Sequence, residues 1–575
     1  MRRVQRRSAR RTLVAENWSR PRSAHQRRFR NLGAPLAAAA LAAAPIAEVL
    51  RLAWLGDSGL WPHLAATILP SALLDTLLLL AGVGLVVALV GVGTAWLVAA
   101  YSFPGRGLLS GLLVLPLAMP TYLTAYAYVD LLDGLGPFQS ALRDLFGFTR
   151  RTQYWFPEIR SLGGAVLVLG FVLYPYVYLP ARAMFATQSA SLVEAARTMG
   201  VGGWGLARRV AIPLARPALA AGGALALLEV LNDIGASEHL GVRTLTIAIY
   251  TTWLNRGSLA GAAQIACVML AFVLVCLWIE ARGRSAQGYA QSARKPRSAT
   301  PVKLDRRAGW LACAACALPV LLGFLLPLLT ILRAAGESGI DVAALASAAI
   351  HTLVFASAAT LLAVALGFLT ASCVRRARSP LTALLARVAG LGYALPGTVL
   401  ALGLLTIIAS LDNAIADAVR GLTGASPGLV FSGFGAAIVI AYLVRFLTIA
   451  IGGAEAGLAR VSPRVDDAAT LLGLTGNQMR WRVHWPMTRG AVAAAALLFF
   501  VDCMKELPAT LLLRPINVET LATLVYGHAS RGSYEDGAPA ALAIVLLSLV
   551  PAVRAARAID QAGGKDVRQT HGRDG

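Results

Sequence analysis

The sequence has few charged residues for its length. Only 14% of its 575 residues are Asp, Glu, Lys or Arg, whereas soluble domains average about 25%. Apolar residues make up 57% of the chain, and the mean hydropathy is +0.65. A soluble core cannot bury this much apolar surface, so the composition excludes a cytosolic enzyme and a disordered chain. It favours a polytopic α-helical membrane protein, because each spanning helix needs about 20 apolar residues.

Patterns typical of catalysis, metal binding and nucleotide binding are also missing. The seven His show no i,i+4 spacing, and the six Cys lie within or beside apolar runs. Cys313 and Cys316 have metal-site spacing but no second pair, which favours packing of small residues. Gly-Gly-Lys-Asp at 563–566 lacks the rest of a phosphate-binding loop. We therefore expect no metal site, no cofactor and no enzymatic activity in this chain.

The net charge of +23 is concentrated in three segments. Residues 1–30, 282–308 and 554–575 together carry 19 of these charges, and these segments lie outside the apolar runs except for the three residues 554–556. Basic segments placed in this way orient a protein in a bilayer, with the basic side in the cytoplasm. The charge therefore predicts membrane topology and not binding to nucleic acid.

Apolar runs predict twelve membrane spans. They lie near 33–55, 72–100, 107–130, 162–186, 216–236, 261–281, 309–332, 347–373, 384–409, 433–453, 489–508 and 538–556. The even-numbered turns are rich in Arg, which predicts cytoplasmic termini; the turn 131–161, with four Arg, fits this rule less well. The predicted organisation is a basic cytoplasmic tail (1–30), a first half (31–281), a cytoplasmic linker (282–308), a second half (309–556) and a cytoplasmic tail (557–575).

The cytoplasmic turns contain an internal repeat. An acidic residue and two alanines precede a glycine and then a proline with the same spacing in both halves. The matched residues are Glu194, Ala195, Ala196, Gly200 and Pro213 in the first copy and Asp467, Ala468, Ala469, Gly473 and Pro486 in the second, at an offset of 273. Thr76 and Pro120 match Thr352 and Pro396 at an offset of 276. The chain is therefore predicted to be a tandem duplication of two six-span halves that enter the membrane in the same sense.

Each copy of the repeat is predicted to form a short helix, a turn at the glycine and a second helix outside the membrane. We call the copies at 191–213 and 464–486 the first and second coupling segments. An ordinary re-entry loop is the alternative for a single copy. Two copies with identical spacing favour a docking surface.

The pattern Glu-Ala-Ala-x3-Gly-x12-Pro resembles the cytoplasmic loop motif of type I permease subunits of ABC importers, over the chain after about residue 60. Fusion of both copies and the run 505–515 followed by 520–522 are similar to the ferric-iron branch. The resemblance implies that each coupling segment docks in a groove of a separate ATPase, present in two copies, and that a periplasmic binding protein delivers the substrate. Asp467 replaces the usual Glu, and Trp485 stands where the first copy has Ile212. Because the second copy keeps an acidic residue and the glycine, both coupling segments are expected to dock on the ATPase.

Charged residues also occur inside two predicted spans, where each costs roughly 2.5–3.5 kcal/mol. They are Glu229 and Asp233 in the fifth span and Asp502, Lys505 and Glu506 in the eleventh. The acids match across the halves at the offset of 273, and the two acids of each span are four residues apart, which places them on one helix face. Lys505 can neutralise one acid of its span, and Pro508 with its match Gly235 is expected to break the two helices.

Two interpretations of these charges stay open. They line a translocation path, in which carboxylates suit a hard cation such as iron(III). Alternatively, they pair with one another near the periplasmic ends and hold the halves together.

The sequence thus predicts an all-α integral membrane protein that is the inner-membrane permease of an ATP-driven bacterial importer. Ferric iron is the favoured cargo, and thiamine, polyamine, phosphonate and sulfate are alternatives within the same class. An ion-coupled secondary transporter also fits twelve spans and intramembrane acids, but nothing in its physics requires two matched coupling segments. A membrane enzyme or scaffold is disfavoured, because no nucleophile, base or ligand cluster is present.

Overall fold

The structure is a computed structural model. It describes residues 24–57, 59–187, 198, 205, 208–209, 212–285, 301–339, 341–377, 379–424 and 427–571. These residues are almost entirely helical. The strands among them are Tyr101–Ser102 and Val302–Lys303, which pair in parallel. The predicted all-α membrane class is therefore confirmed.

The helices of the first half begin before the first span and end near the linker. They are Ala24–Leu55, Trp61–His63, the π-helical turn Leu64–Ile68, Leu69–Ala100, Arg106–Leu112, the 3₁₀ turn Leu115–Ala118, Thr121–Leu132, Pro137–Phe146, the 3₁₀ turn Arg151–Gln153, Leu162–Leu173, Pro175–Thr187, Ile212–Asn232, Gly235–His239, Leu245–Leu254 and Leu259–Ser285.

The second half has a similar series. Its helices are Arg306–Val320, the π-helical turn Leu321–Leu325, Leu326–Glu337, Val342–Ala377, Pro380–Gly390, the 3₁₀ turn Leu391–Ala394, Gly397–Thr423, Val430–Gly433, Ala436–Ala459, Pro463–Leu471, Gly476–Met479, the π-helical turn Arg480–His484, Trp485–Met504, Pro508–Leu513, Leu521–Ser530 and Tyr534–His571.

Among the described residues, nine helices are long and apolar enough to cross a membrane, or up to eleven if each of two bent helix pairs is one span. Eight of the twelve predicted spans match single candidate helices, the span near 384–409 matches Gly397–Thr423 only in its second part, and the two near 107–130 and 162–186 match the bent pairs. The predicted span at 216–236 corresponds to Ile212–Asn232, which falls outside this count. Leu85, Leu89 and Leu361 are more than 60% exposed on their helices, as lipid-facing side chains should be.

Two of the predicted spans are interrupted at a proline whose own backbone is not helical. The span expected at 107–130 is bent by 93° between Ala118 and Thr121, and the one expected at 384–409 is interrupted between Gly390 and Gly397. Pro120 and Pro396 stand directly before the new helices with non-helical ψ angles of 141° and 143°, and proline favours such a break because it donates no backbone hydrogen bond. The apolar runs do not reveal these breaks, since the residues around both prolines are themselves apolar.

The repeat is also present in the local structure. The hydroxyl Oγ1 of Thr76 accepts a hydrogen bond from the backbone nitrogen of Leu245 at 3.0 Å. Oγ1 of Thr352 accepts one from the backbone nitrogen of Leu521 at 2.8 Å, and both pairs are 169 residues apart. The two halves therefore make the same long-range contact at the same offset of 276 residues.

The chain forms two compact units. The larger comprises residues 44–360, 393–446 and 497–575, and the smaller comprises residues 1–43, 361–392 and 447–496. The core of the larger unit includes fully buried Leu79, Val83 and Tyr174. In the smaller unit, Phe368 packs beside Leu458 and lies 5.3 Å from the Trp485 ring in an edge-to-face arrangement.

Candidate functional site

A cleft in the larger unit holds the charged residues that the sequence placed inside two spans. Its empty space, including its open mouth, is about 710 Å³. All six residues predicted to line a path are on its wall: Glu229, Asp233, Asp502, Lys505, Glu506 and Pro508. We call it the central cleft. The residues that the sequence predicts to share one site therefore line one cleft in the structure.

The central cleft is built where two helices stop. Helix Ile212–Asn232 ends before Asp233, and the short helix Gly235–His239 follows; helix Trp485–Met504 ends before Lys505, and Pro508–Leu513 follows. The breaks expected from Gly235 and Pro508 are therefore present. One detail differs from the sequence prediction, because Asp233 and Glu506 lie beyond the helix ends and do not share a helical face with Glu229 and Asp502.

The two displaced acids satisfy the backbone of the short helices. Oδ1 of Asp233 accepts a hydrogen bond from the backbone nitrogen of Ala236 at 2.7 Å. Oε1 of Glu506 accepts the equivalent bond from Ala509 at 2.9 Å, and its Oε2 accepts one from the backbone nitrogen of Thr510 at 3.0 Å. These carboxylates satisfy amide groups that a helix N-terminus otherwise leaves without a partner.

Both cations that line the cleft are already paired with acids. Lys505 Nζ lies 2.8 Å from Asp502 Oδ1, as the sequence allowed. Arg445 Nη1 donates to Glu506 Oε1 at 2.8 Å, and both of these side chains are buried. Sequence reasoning missed Arg445, although an arginine inside an apolar run is itself a sign that an acidic partner lies nearby.

The acids of the first half have no such partners. Glu229 Oε1 accepts long hydrogen bonds from the hydroxyls of Tyr393 at 3.3 Å and Tyr176 at 3.5 Å. No ion pair within 4 Å joins Glu229 or Asp233 to a residue of the described part of the chain. At the offset of 273 residues, Val172 and Asn232 stand where the second half has Arg445 and Lys505. The cleft is therefore asymmetric, because both of its ion pairs are formed by residues of the second half.

Most of the first coupling segment lies outside the described residues, including Glu194, Ala195, Ala196 and Gly200. Pro213 is described and lies in the first turn of helix Ile212–Asn232. This position suits proline, because the first turn of a helix needs no backbone donor there.

The second coupling segment forms helix Pro463–Leu471, which carries Asp467, Ala468 and Ala469. Ser462 caps it by accepting a hydrogen bond from the backbone nitrogen of Arg464. Gly473 follows with a left-handed φ of +78°. The short helix Gly476–Met479 and the π-helical turn Arg480–His484 come next, and Pro486 lies in the first turn of helix Trp485–Met504. The segment thus has the helix, turn and helix that the sequence predicted.

One face of the second coupling segment is exposed. Asp467 and Ala468 are exposed, and Leu471 and Leu472 are 89% and 82% exposed. Two adjacent leucines at such exposure form an apolar patch beside an acidic residue outside the predicted spans. An exposed apolar patch of this kind is typical of a surface that binds another protein.

The described residues contain no group of three or more His, Cys, Asp or Glu side chains placed to hold a metal ion. The six cysteines are free thiols. In chemical terms, the central cleft offers carboxylate oxygens and tyrosine hydroxyls that a passing solute can contact, without a preformed coordination shell.

Comparison with known proteins gives one family and several relatives. Residues 89–282 match the family described as binding-protein-dependent transport system inner membrane component. The chain is 24% identical over 484 residues to the Fe(3+)-transport system permease protein FbpB 2 of Haemophilus influenzae, covering 83% of this chain and 88% of that protein. It is 30% identical over 195 residues to the molybdenum transport system permease protein ModB of Escherichia coli, covering 33% and 82%. It is 28% identical over 195 residues to the sulfate transport system permease protein CysW of Escherichia coli, covering 33% and 64%.

Proposed function

The chain belongs to the family of binding-protein-dependent transport system inner membrane components, the permease subunits of ABC importers, and on this premise we propose that its cargo is ferric iron. In this proposal the central cleft is part of the translocation path. The chain itself carries out no chemistry. It converts the motion of a separate ATPase into alternating access across the inner membrane.

The charge of the central cleft supports a cationic cargo. Four carboxylates and two cationic side chains line it, and both cations are engaged with Asp502 and Glu506 at 2.8 Å. Glu229 and Asp233 have no ion-pair partner within 4 Å among the described residues, so acids outnumber cations along the path. A cation is stabilised in such a path, whereas an oxyanion such as sulfate or a phosphonate is repelled. Carboxylate and phenol oxygens are ligands suited to a hard ion such as iron(III).

The extent of the similarities supports the same cargo. The relative whose name specifies Fe(3+) is similar over most of this chain, whereas the molybdenum and sulfate permeases are similar over about a third of it. Thiamine and polyamines are cations too, so they are the alternatives that charge alone does not disfavour. An ion-coupled secondary transporter does not agree with the family.

The coupling segments supply the mechanical part of the proposal. The first comprises Glu194, Ala195, Ala196, Gly200 and Pro213, and the second comprises Asp467, Ala468, Ala469, Gly473 and Pro486. Each docks on one of two ATPase copies at the cytoplasmic side, where both termini also lie. Closure of the ATPase pair on ATP draws the segments together and turns the path towards the periplasmic binding protein. Hydrolysis then returns the path to the cytoplasm.

Uptake of radiolabelled iron(III) tests this proposal. We would compare native cells with cells in which this chain is deleted and then restored, with unlabelled thiamine and polyamine as competitors. Loss of uptake on deletion, with recovery only when ATP is present, is the expected result. Unchanged iron uptake together with loss of another solute would keep the permease and replace the cargo.

A pair of variants tests the part assigned to the cleft. Glu229→Gln keeps a side-chain oxygen for the two tyrosine hydroxyls but removes the charge, so the protein should fold while iron uptake falls by at least about tenfold, or 1.4 kcal/mol. Glu337→Gln is the matched control, because Glu337 is exposed and makes only a long ion pair with Arg333 at 3.8 Å. Equal iron uptake by both variants would show that the central cleft is not part of the translocation path.

A further inference from the structure

A cluster of three charged or polar residues holds the second coupling segment, and the proposed function does not use it. The residues are Arg375 at the end of helix Val342–Ala377, Asp466 in helix Pro463–Leu471, and His484 directly before helix Trp485–Met504. All three belong to the smaller compact unit. Arg375 and Asp466 are 18% and 22% exposed, and His484 is fully buried.

Arg375 binds three acceptors at once. Its Nε donates to Asp466 Oδ2 at 2.8 Å, and its Nη2 donates to the backbone carbonyl of Val461 at 2.8 Å. Its Nη1 donates to the carbonyl of Leu458, in the last turn of helix Ala436–Ala459. Carbonyls at a helix C-terminus lack partners within the helix and attract cations. The planar guanidinium fork can satisfy three acceptors, which a lysine ammonium on a flexible stem does less well.

Asp466 extends the cluster to the next helix. Its second oxygen, Oδ1, lies 2.9 Å from Nε2 of His484. Thr488 then donates its hydroxyl to the carbonyl of His484 at 2.8 Å, within the first turns of helix Trp485–Met504. The Asp466 carboxylate thereby ties the short helix of the coupling segment to Arg375 on Val342–Ala377 and to His484 before Trp485–Met504. Arg375 in turn holds the end of helix Ala436–Ala459.

The first half of the sequence has none of these groups. At the offset of 276, Ala99 stands in place of Arg375, and at the offset of 273, Val193 and Ala211 stand in place of Asp466 and His484. None of these three side chains can form an ion pair or a side-chain hydrogen bond. The cluster is therefore particular to the second coupling segment and is not part of the duplicated design.

We propose that Arg375, Asp466 and His484 form a clamp that fastens the second coupling segment to the membrane helices, so that ATPase motion moves those helices instead of deforming the segment. Arg375 is then a positioning residue for transport. This inference rests on the proposed function, because it assumes an ATPase that acts on the segment.

The test uses the complete complex of this chain, its ATPase and its binding protein, reconstituted in liposomes. It measures ATP hydrolysed per iron ion taken up, since a loss of folding lowers both quantities while a loss of coupling changes their ratio. The variants are Arg375→Ala, Asp466→Asn and their combination, with Arg375→Lys as the conservative replacement. Arg420→Ala is the matched control, because Arg420 forms an exposed pair with Asp417 at 3.8 Å.

We expect Arg375→Ala and Asp466→Asn each to raise the ATP cost of uptake about tenfold, within the range of coupling between two sites. The combined variant should be no worse than either single variant, because both act through one clamp. Arg375→Lys should be intermediate, and Arg420→Ala should match the wild type. If Arg375→Ala does not assemble, Asp466→Asn and Arg375→Lys decide the matter.

Two results would overturn the clamp alone. One is a wild-type ratio in the variants of a complex that transports iron normally. The other is a proportional loss of hydrolysis and uptake, which would show that the cluster only supports folding. A wild-type complex that shows no ATP-driven uptake of iron or of the competing solutes would instead overturn the proposed function, and this inference with it.

Discussion

The guanidinium of Arg445 and the carboxylate of Glu506 form an ion pair at 2.8 Å in which 7% and 1% of the side-chain surfaces are exposed. The same carboxylate caps the short helix Pro508–Leu513. One pair therefore joins helix Ala436–Ala459 to the interruption that forms one wall of the central cleft. The first half has Val172 at the matched position, and none of the described cationic side chains lies within 4 Å of the Asp233 carboxylate.

Replacing Arg445 with methionine should destabilise the protein by about 3–5 kcal/mol, because it leaves the buried Glu506 carboxylate without its partner. The measurement is denaturant or thermal unfolding of the detergent-solubilised protein. The double variant Arg445→Met with Glu506→Gln should recover part of this loss, since no buried charge is then left alone. Lys505→Met is the control and should cost less, because its pair with Asp502 is about a quarter exposed. A double variant less stable than Arg445→Met would contradict the explanation.

The acidic residues of the cleft could be predicted from the sequence, because they occupy matched positions in the two halves. Glu229 and Asp233 have counterparts in Asp502 and Glu506, and the matched offsets point to one shared site. Arg445 has no counterpart, so a comparison of the halves does not find it. Its partner lies 61 residues away, and only tertiary packing brings them together.

Thr76→Val and Thr352→Val should destabilise the protein by similar amounts, about 1–3 kcal/mol each. Each change leaves a buried backbone N–H, of Leu245 or Leu521, without its acceptor. The measured quantity is again the free energy of unfolding in detergent. Thr360→Val is the matched control. The Thr360 hydroxyl donates to a carbonyl of its own helix at 2.6 Å, so its removal leaves no backbone N–H without an acceptor. A large cost at only one of Thr76 and Thr352 would show that the two halves do not use this contact equally.

Gly473→Ala should lower iron uptake while the protein remains in the membrane. Gly473 has a φ of +78°, where a side chain costs about 1–2 kcal/mol, and no atom lies within 4 Å of an added Cβ. The cost therefore acts on the turn of the second coupling segment and not on packing. Gly473→Asn is the matched control, because asparagine tolerates this conformation, and it should keep more activity. Unchanged uptake after substitution of both Gly200 and Gly473 would rule out a coupling role for the two turns.

The residues of the clamp cannot be identified by comparing the two halves of the sequence. Asp467 matches the acidic Glu194 of the first half, so the repeat reveals it, whereas the adjacent Asp466 matches Val193 and the repeat does not reveal it. Its partners are 91 and 18 residues away along the chain. The repeat reveals what the halves share, whereas the features that make them different depend on contacts made only in the folded chain.

Asp466 should stabilise the protein at neutral pH and lose this effect only in acid. Burial alone would raise the pKa of its carboxyl, but hydrogen bonds from Arg375 and His484 outweigh burial and hold that pKa below the usual value of 3.8. A group whose pKa is lower in the folded than in the unfolded state stabilises the fold above the unfolded pKa, and it loses that contribution as the pH falls through the folded pKa. The stability difference between the wild type and Asp466→Asn should therefore persist from pH 8 to about pH 5 and shrink only below about pH 4. Thermal unfolding in detergent across this pH series measures it, with Asp417→Asn as the control for an exposed acid. A difference that vanishes between pH 7 and pH 5 would mean that Asp466 is not held in its ionised form by Arg375.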